Sequence, residues 1–148
     1  MTKRLLILVA SLFLSTVAFA AADPCASEQY VKQHAFANIT TATTTQLIAP
    51  PALQVGNNVI FVCQVTVQLT STTTANTVLF EQGTGAACSS PTVLTATYTN
   101  PAGNSALVTL GGAAANFFKT TTPGTGLCAV TTVGSTPTIA VDVSYFIQ

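Results

Sequence analysis

The chain has 148 residues, with four Lys/Arg, four Asp/Glu and one histidine; charged residues make up only 5 % of it and hydrophobic ones 49 %. General acid/base catalysis, hydrolytic metal sites and phosphate clamps are built from ionisable groups, so this composition predicts a non-catalytic protein without cofactor or metal. No basic patch is present to neutralise phosphates and no basic amphipathic helix to lie on a bilayer, so nucleic-acid and membrane-surface binding are not expected.

The first element is a targeting segment. Lys3 and Arg4 precede the apolar run Leu5–Leu14, and Ala18-Phe19-Ala20 places small residues at positions −3 and −1 of a cleavage site. The run is shorter than the roughly 20 apolar residues that span a bilayer. Residues 1–20 therefore read as a cleaved signal peptide, and no membrane insertion is expected after cleavage. The export that follows is secreted, periplasmic or to the cell surface, most simply of a bacterium. Without the leader, two lysines face four acids, a formal charge of −2 with His34 neutral.

Residues 21–34 form an N-terminal arm. Asp23 could cap a short helical turn with Pro24 at its first position and Glu28 one turn before Lys32, although an extended arm fits as well. From residue 35 to 148 the pattern is that of strands. Asn58–Leu69 alternates, with Val59, Phe61, Cys63, Val65, Val67 and Leu69 on one face and Ile60, Val62, Gln64, Thr66 and Gln68 on the other. Thr138–Phe146 repeats this, with Ile139, Val141, Val143 and Tyr145 opposite Ala140, Asp142 and Ser144. Shorter candidates are Thr43–Ile48, Thr77–Glu81, Val93–Thr99, Ala106–Leu110, Asn116–Lys119 and Leu127–Thr132, separated by Pro, Gly and Asn turn signals. About eight short strands without a long helix predict an all-β domain, a single antiparallel β-sandwich of jelly-roll type.

Export gives Cys25, Cys63, Cys88 and Cys128 a structural meaning, because an even count in an oxidising compartment favours two disulfides. Three connectivities are open. The preferred one is Cys25–Cys63, which staples the arm to a central strand, with Cys88–Cys128, which joins two Gly-rich turns. The wide spacings and single histidine make a metal site a poor alternative.

Few residues offer chemistry. No G-x-S-x-G elbow is present, and His34 reads as a surface histidine rather than a base. Glu81 and Asp142 could flank a glycosidic bond, yet each reads first as the polar side of its strand. Asn38-Ile39-Thr40 matches a glycosylation sequon. The threonine runs Thr40–Thr45 and Thr70–Thr74 read as solvated edge and loop, since no fixed repeat supports a binding array. Phe117-Phe118 is a candidate association surface, because adjacent strand residues point to opposite faces.

The stretches TATTTQLI (Thr41–Ile48), NVIFVC (Asn58–Cys63), LFEQGTGAAC (Leu79–Cys88), GLC (Gly126–Cys128) and VDVSY (Val141–Tyr145) resemble a loosely defined family of small β-sandwich proteins. Its members come from proteobacterial and phage genomes and are largely uncharacterised. The resemblance implies a four-cysteine framework and a jelly-roll-like sandwich, and it carries no catalytic residues. The expected function is that of an exported structural or assembly protein of the cell surface or of a phage-like particle, with copies of itself as partner. A glycan- or surface-binding module is the alternative, and a pilin-like subunit using strand exchange the next.

Overall fold

A computed structural model describes residues 25–26, 31–51, 58–70, 74–112, 117–132 and 138–148. The leader and most of the arm, including the Asp23 cap, lie outside the described residues. The described residues form ten strands: β1 (Gln33–Ile39), β2 (Thr43–Ile48), β3 (Ile60–Thr70), β4 (Asn76–Thr84), β5 (Ser89–Val93), β6 (Tyr98–Asn100), β7 (Ser105–Gly111), β8 (Phe118–Lys119), β9 (Gly126–Thr132) and β10 (Thr138–Ile147). All pairings are antiparallel. One sheet runs β1-β10-β3-β7 with β8 also on β3, and the other runs β2-β9-β4-β5 with β6 also on β4. If β5/β6 and β7/β8 are each counted as one interrupted strand, eight remain, in the double-Greek-key order of a jelly roll.

Local chemistry explains where the pattern breaks. The expected strand Val93–Thr99 is two strands, because the chain leaves the sheet at Leu94–Thr97; there Leu94 and Thr95 both donate their amides to the Phe80 carbonyl. Gln33 and His34 belong to β1 rather than to a helical turn, so the sandwich begins two residues before the expected boundary. The alternation His34, Phe36, Asn38 against Ala35, Ala37, Ile39 carries that strand: the second set faces the core and the first faces outward.

The larger departure lies in β3. Its register with β10 moves from Gln64↔Ser144 to Val62↔Tyr145, leaving Cys63 as the extra residue of a bulge. A bulge flips the alternation. Ile60 and Val62 therefore join Val65, Val67 and Leu69 in the core, while Phe61 and Cys63 leave the face assigned to them from sequence. Cys63 instead packs with Cys25 and Phe146 in a second buried cluster, where the Phe61 and Phe146 rings stack at 5.0 Å.

The inner faces of the two sheets meet in one core. Ile39, Ile139, Val141, Val143 and the β3 aliphatics come from the first sheet, and Ile48, Val78, Phe80, Leu127 and Ala129 from the second. Gln82 is buried at the rim of this core and ties down the loop after β8. Thr121 N donates to Gln82 Oε1 at 2.6 Å, and Gln82 Nε2 donates to Thr121 Oγ1 at 2.9 Å. One buried amide thus satisfies a loop that would otherwise leave backbone groups unpaired.

Both preferred disulfides form, Cys25–Cys63 with Cα atoms 5.4 Å apart and Cys88–Cys128 at 6.5 Å. Each sits on the outward side of one sheet. The second holds the β4–β5 turn against β9, and the approach is close: a Cβ on Gly83 would lie 2.6 Å from the Cys88 carbonyl carbon. Gly126, opposite Gly83 in register, is equally confined, with the Ile48 carbonyl oxygen 2.6 Å from any added Cβ. Two disulfides are the mark of an oxidising, extracytoplasmic environment. No helix among the described residues is long and apolar enough to cross a membrane.

Candidate functional site

The two outward faces differ in what covers them. On the second sheet, much of the surface is occupied by the chain itself. The Cys88–Cys128 turn lies over β4 and β9, Gln46 Nε2 donates to the Gly85 carbonyl at 2.9 Å, and the Thr77 and Thr132 hydroxyls bond to each other. Glu81 shares this face and is only 7 % exposed. Desolvation pushes its carboxyl above the ordinary value of 4.5. Because the folded state raises this pKa, stability is fullest while the group is protonated and falls as pH rises past the ordinary carboxylate range. Glu81→Gln, which removes the charge and keeps the shape, is expected to raise the Tm at about pH 7 and to leave it unchanged near pH 3. Thermal melts at both values check this; a lowered Tm at neutral pH would contradict it.

Among the described residues, the outward face of the first sheet is open beyond the end where Cys25, Phe61 and Phe146 pack. Register sets its side chains in rows across four strands. One row is His34, Ser144, Gln64 and Gly111; the next is Phe36, Asp142, Thr66 and Thr109; the third is Asn38, Ala140, Gln68 and Leu107. Strands about 4.8 Å apart make this surface about 14 Å wide. Two adjoining depressions lie on it and share Thr66 and Asp142. The first, of about 170 Å³, is lined by His34, Gln64, Thr66, Asp142 and Ser144. The second, of about 110 Å³, is lined by Phe36, Thr66, Gln68, Leu107, Ala140 and Asp142.

His34 Nδ1 lies 3.3 Å from Asp142 Oδ1, with both side chains more than half exposed. An exposed pair of this kind adds about 1 kcal/mol or less. Ser144 is the register partner of His34, but among the described residues no hydrogen bond joins its hydroxyl to the ring, so the nucleophile–base contact of a triad is not made. Glu81 and Asp142 lie on the outward faces of different sheets and do not face one another across a cleft. No group of three His, Cys, Asp or Glu side chains that could hold a metal occurs among the described residues.

Phe117 and Phe118 are both half-buried against the core margin. Phe118 stacks on Phe80 at 5.8 Å and Phe117 meets Phe118 edge-on at 5.2 Å. They line a depression of about 230 Å³ with Leu94, Thr95, Ala96 and Tyr98. The sequence singled out this pair and passed over Phe36, which is 65 % exposed. The signal for Phe36 was present in Gln33–Ile39, where small apolar residues alternate with larger outward ones. No protein-family model, curated protein or solved structure matches the chain.

Proposed function

We propose that the chain is an exported, non-catalytic structural subunit that assembles with copies of itself, at the cell surface or in a phage-like particle. The observation that carries this reading is the edge strand β7. Ser105–Gly111 is seven residues long, contains neither charge nor proline, and among the described residues pairs only with β3. Its Leu107 is 70 % exposed. Proteins that remain monomeric blunt such edges with lysine, proline or bulges, because unpaired backbone groups recruit another strand. The opposite sheet illustrates such blunting: β5 carries Pro91 and a positive φ at Ser90. With a formal charge of zero for the whole chain, or −2 once residues 1–20 are cleaved, little repulsion opposes contact between copies.

Strand exchange of the pilin type makes heavier demands. Residues 35–45 lie in β1, a bend and β2, and β1 is held to β10 through seven register pairs that exchange would have to release. The C-terminal strand β10 lies between β1 and β3 rather than at an edge. Edge pairing through β7 needs no release. The fold itself is neutral between roles, since jelly rolls serve as both capsid and lectin domains.

Ser105→Lys/Leu107→Lys places two cations on the free edge at exposed positions. The variant is expected to keep its Tm and to shift the chain toward monomer in sedimentation velocity. An unchanged association state in a folded variant would remove β7 as the interface.

A further inference from the structure

We infer that the outward face of the β1-β10-β3-β7 sheet is a binding site for a neutral glycan, centred on Phe36, Asp142, Thr66 and Gln68. The inference does not depend on self-assembly, because β7 would associate through its backbone edge while this face points away from the core.

Unused hydrogen-bonding capacity is the first support. The side chains of Asn38, Gln64, Thr66, Gln68 and Ser144 make no hydrogen bond among the described residues, although register sets them in neighbouring rows of one sheet. Amide and hydroxyl groups both donate and accept, as do the hydroxyls of a sugar. Asp142 adds a charged acceptor at the centre, and charge-assisted hydrogen bonds are the stronger kind. The opposite sheet's outward face, by contrast, has bonded its threonines to each other and Gln46 to its own turn.

Apolar surface in the same depression is the second. Phe36 faces Asp142 in register, and Leu107 closes the far side. An exposed ring beside free amides offers a sugar both a surface for its C–H groups and partners for its hydroxyls. Sites for small ligands combine these two kinds of lining.

Charge decides the ligand class. The face bears one acid and one histidine, with neither lysine nor arginine in its three rows. A phosphorylated, sulfated or uronic-acid polymer would meet Asp142 without a compensating cation. A neutral, hydroxyl-rich polymer meets no such repulsion.

Affinity electrophoresis of the oxidised chain tests this, in native gels containing dextran, mannan, xylan or hydroxyethylcellulose, with an alginate gel as the anionic control. Retardation in at least one neutral gel is expected, weakened tenfold or more in both Phe36→Ala and Gln68→Ala. Both residues lie on the outward face of their strands, and unchanged Tm values would show that the variants fold. Ser105→Lys, on β7 but outside the lining of the depression, is run beside them with sedimentation velocity on every variant: a gel shift that vanishes with the oligomer in Ser105→Lys but survives Phe36→Ala counts against a glycan site. Mobility unaffected by every neutral polymer, or retardation in alginate alone, would overturn the inference.

Discussion

Cys88→Ala/Cys128→Ala is expected to lower the free energy of unfolding by about 4 kcal/mol, the loop-closure value for cysteines 40 residues apart. The effect has two physical parts. In the unfolded chain the cross-link removes conformations, and its loss restores them. In the folded chain it pins the turn at Gly85–Cys88 over β4 and β9, where Cys88 has a φ of 50° that an L-residue adopts only when its surroundings hold it there. Without the bond, that turn loses its anchor and β5, which pairs with β4 through only three positions, is the first strand expected to fray. Urea unfolding of the oxidised parent and the variant measures the difference, and hydrogen exchange along Ser89–Val93 locates it. A loss well under 1 kcal/mol, or fraying that begins in β1, would show that this bridge does not brace the second sheet.

Phe80→Ala is expected to cost about 3–5 kcal/mol, the usual penalty for emptying an aromatic site in a packed core. Phe80 is fully buried at the centre of β4, opposite Ala129, and its ring stacks on Phe118. Phe118 packs on that ring at the margin of the core, so the cavity would extend toward β8. Against a total stability of about 5–15 kcal/mol, such a loss threatens the fold. Phe80→Leu, which refills most of the volume, should recover the greater part of the difference. Equal destabilisation by Ala and Leu would contradict this account of the packing.

How much of this was legible in the chain depends on the residue. β2 and β9 could be read nearly to their ends, because Pro50-Pro51 closes the first and Pro123-Gly124 opens the second. The preferred disulfides also formed, although Cys88–Cys128 joins the β4–β5 turn to the interior of β9 rather than to a second turn. The face of Phe61 and Cys63 could not be read. A bulge inserts one residue and reverses the parity, and nothing in Phe61–Gln64 distinguishes a bulged strand from a regular one. The candidate site was hidden for a related reason. Its rows are set by register between β1, β10, β3 and β7, whose members are over 100 residues apart in the case of His34 and Asp142. Alternation shows which side chains share a strand face, but not which strand lies beside it.

The charge distribution also takes on meaning only in three dimensions. Asp142 and Glu81 read alike as polar residues on alternating strands, yet one stands open beside His34 and the other is covered on the second sheet. The chain has spent its few ionisable groups unevenly between its faces. One face is crossed by the turn that Cys88–Cys128 holds, and the other leaves the amides and hydroxyls of Asn38, Gln64, Thr66, Gln68 and Ser144 without hydrogen bonds among the described residues.

The central claim, that this sandwich is an assembly subunit, is tested most directly by multi-angle light scattering on the oxidised chain beginning at Ala21, over a range of concentrations at moderate salt. The account predicts a mass of two or more copies that rises with concentration and reverts toward one copy in Ser105→Lys/Leu107→Lys. A monomer at every concentration, with the variant indistinguishable from the parent, would contradict it.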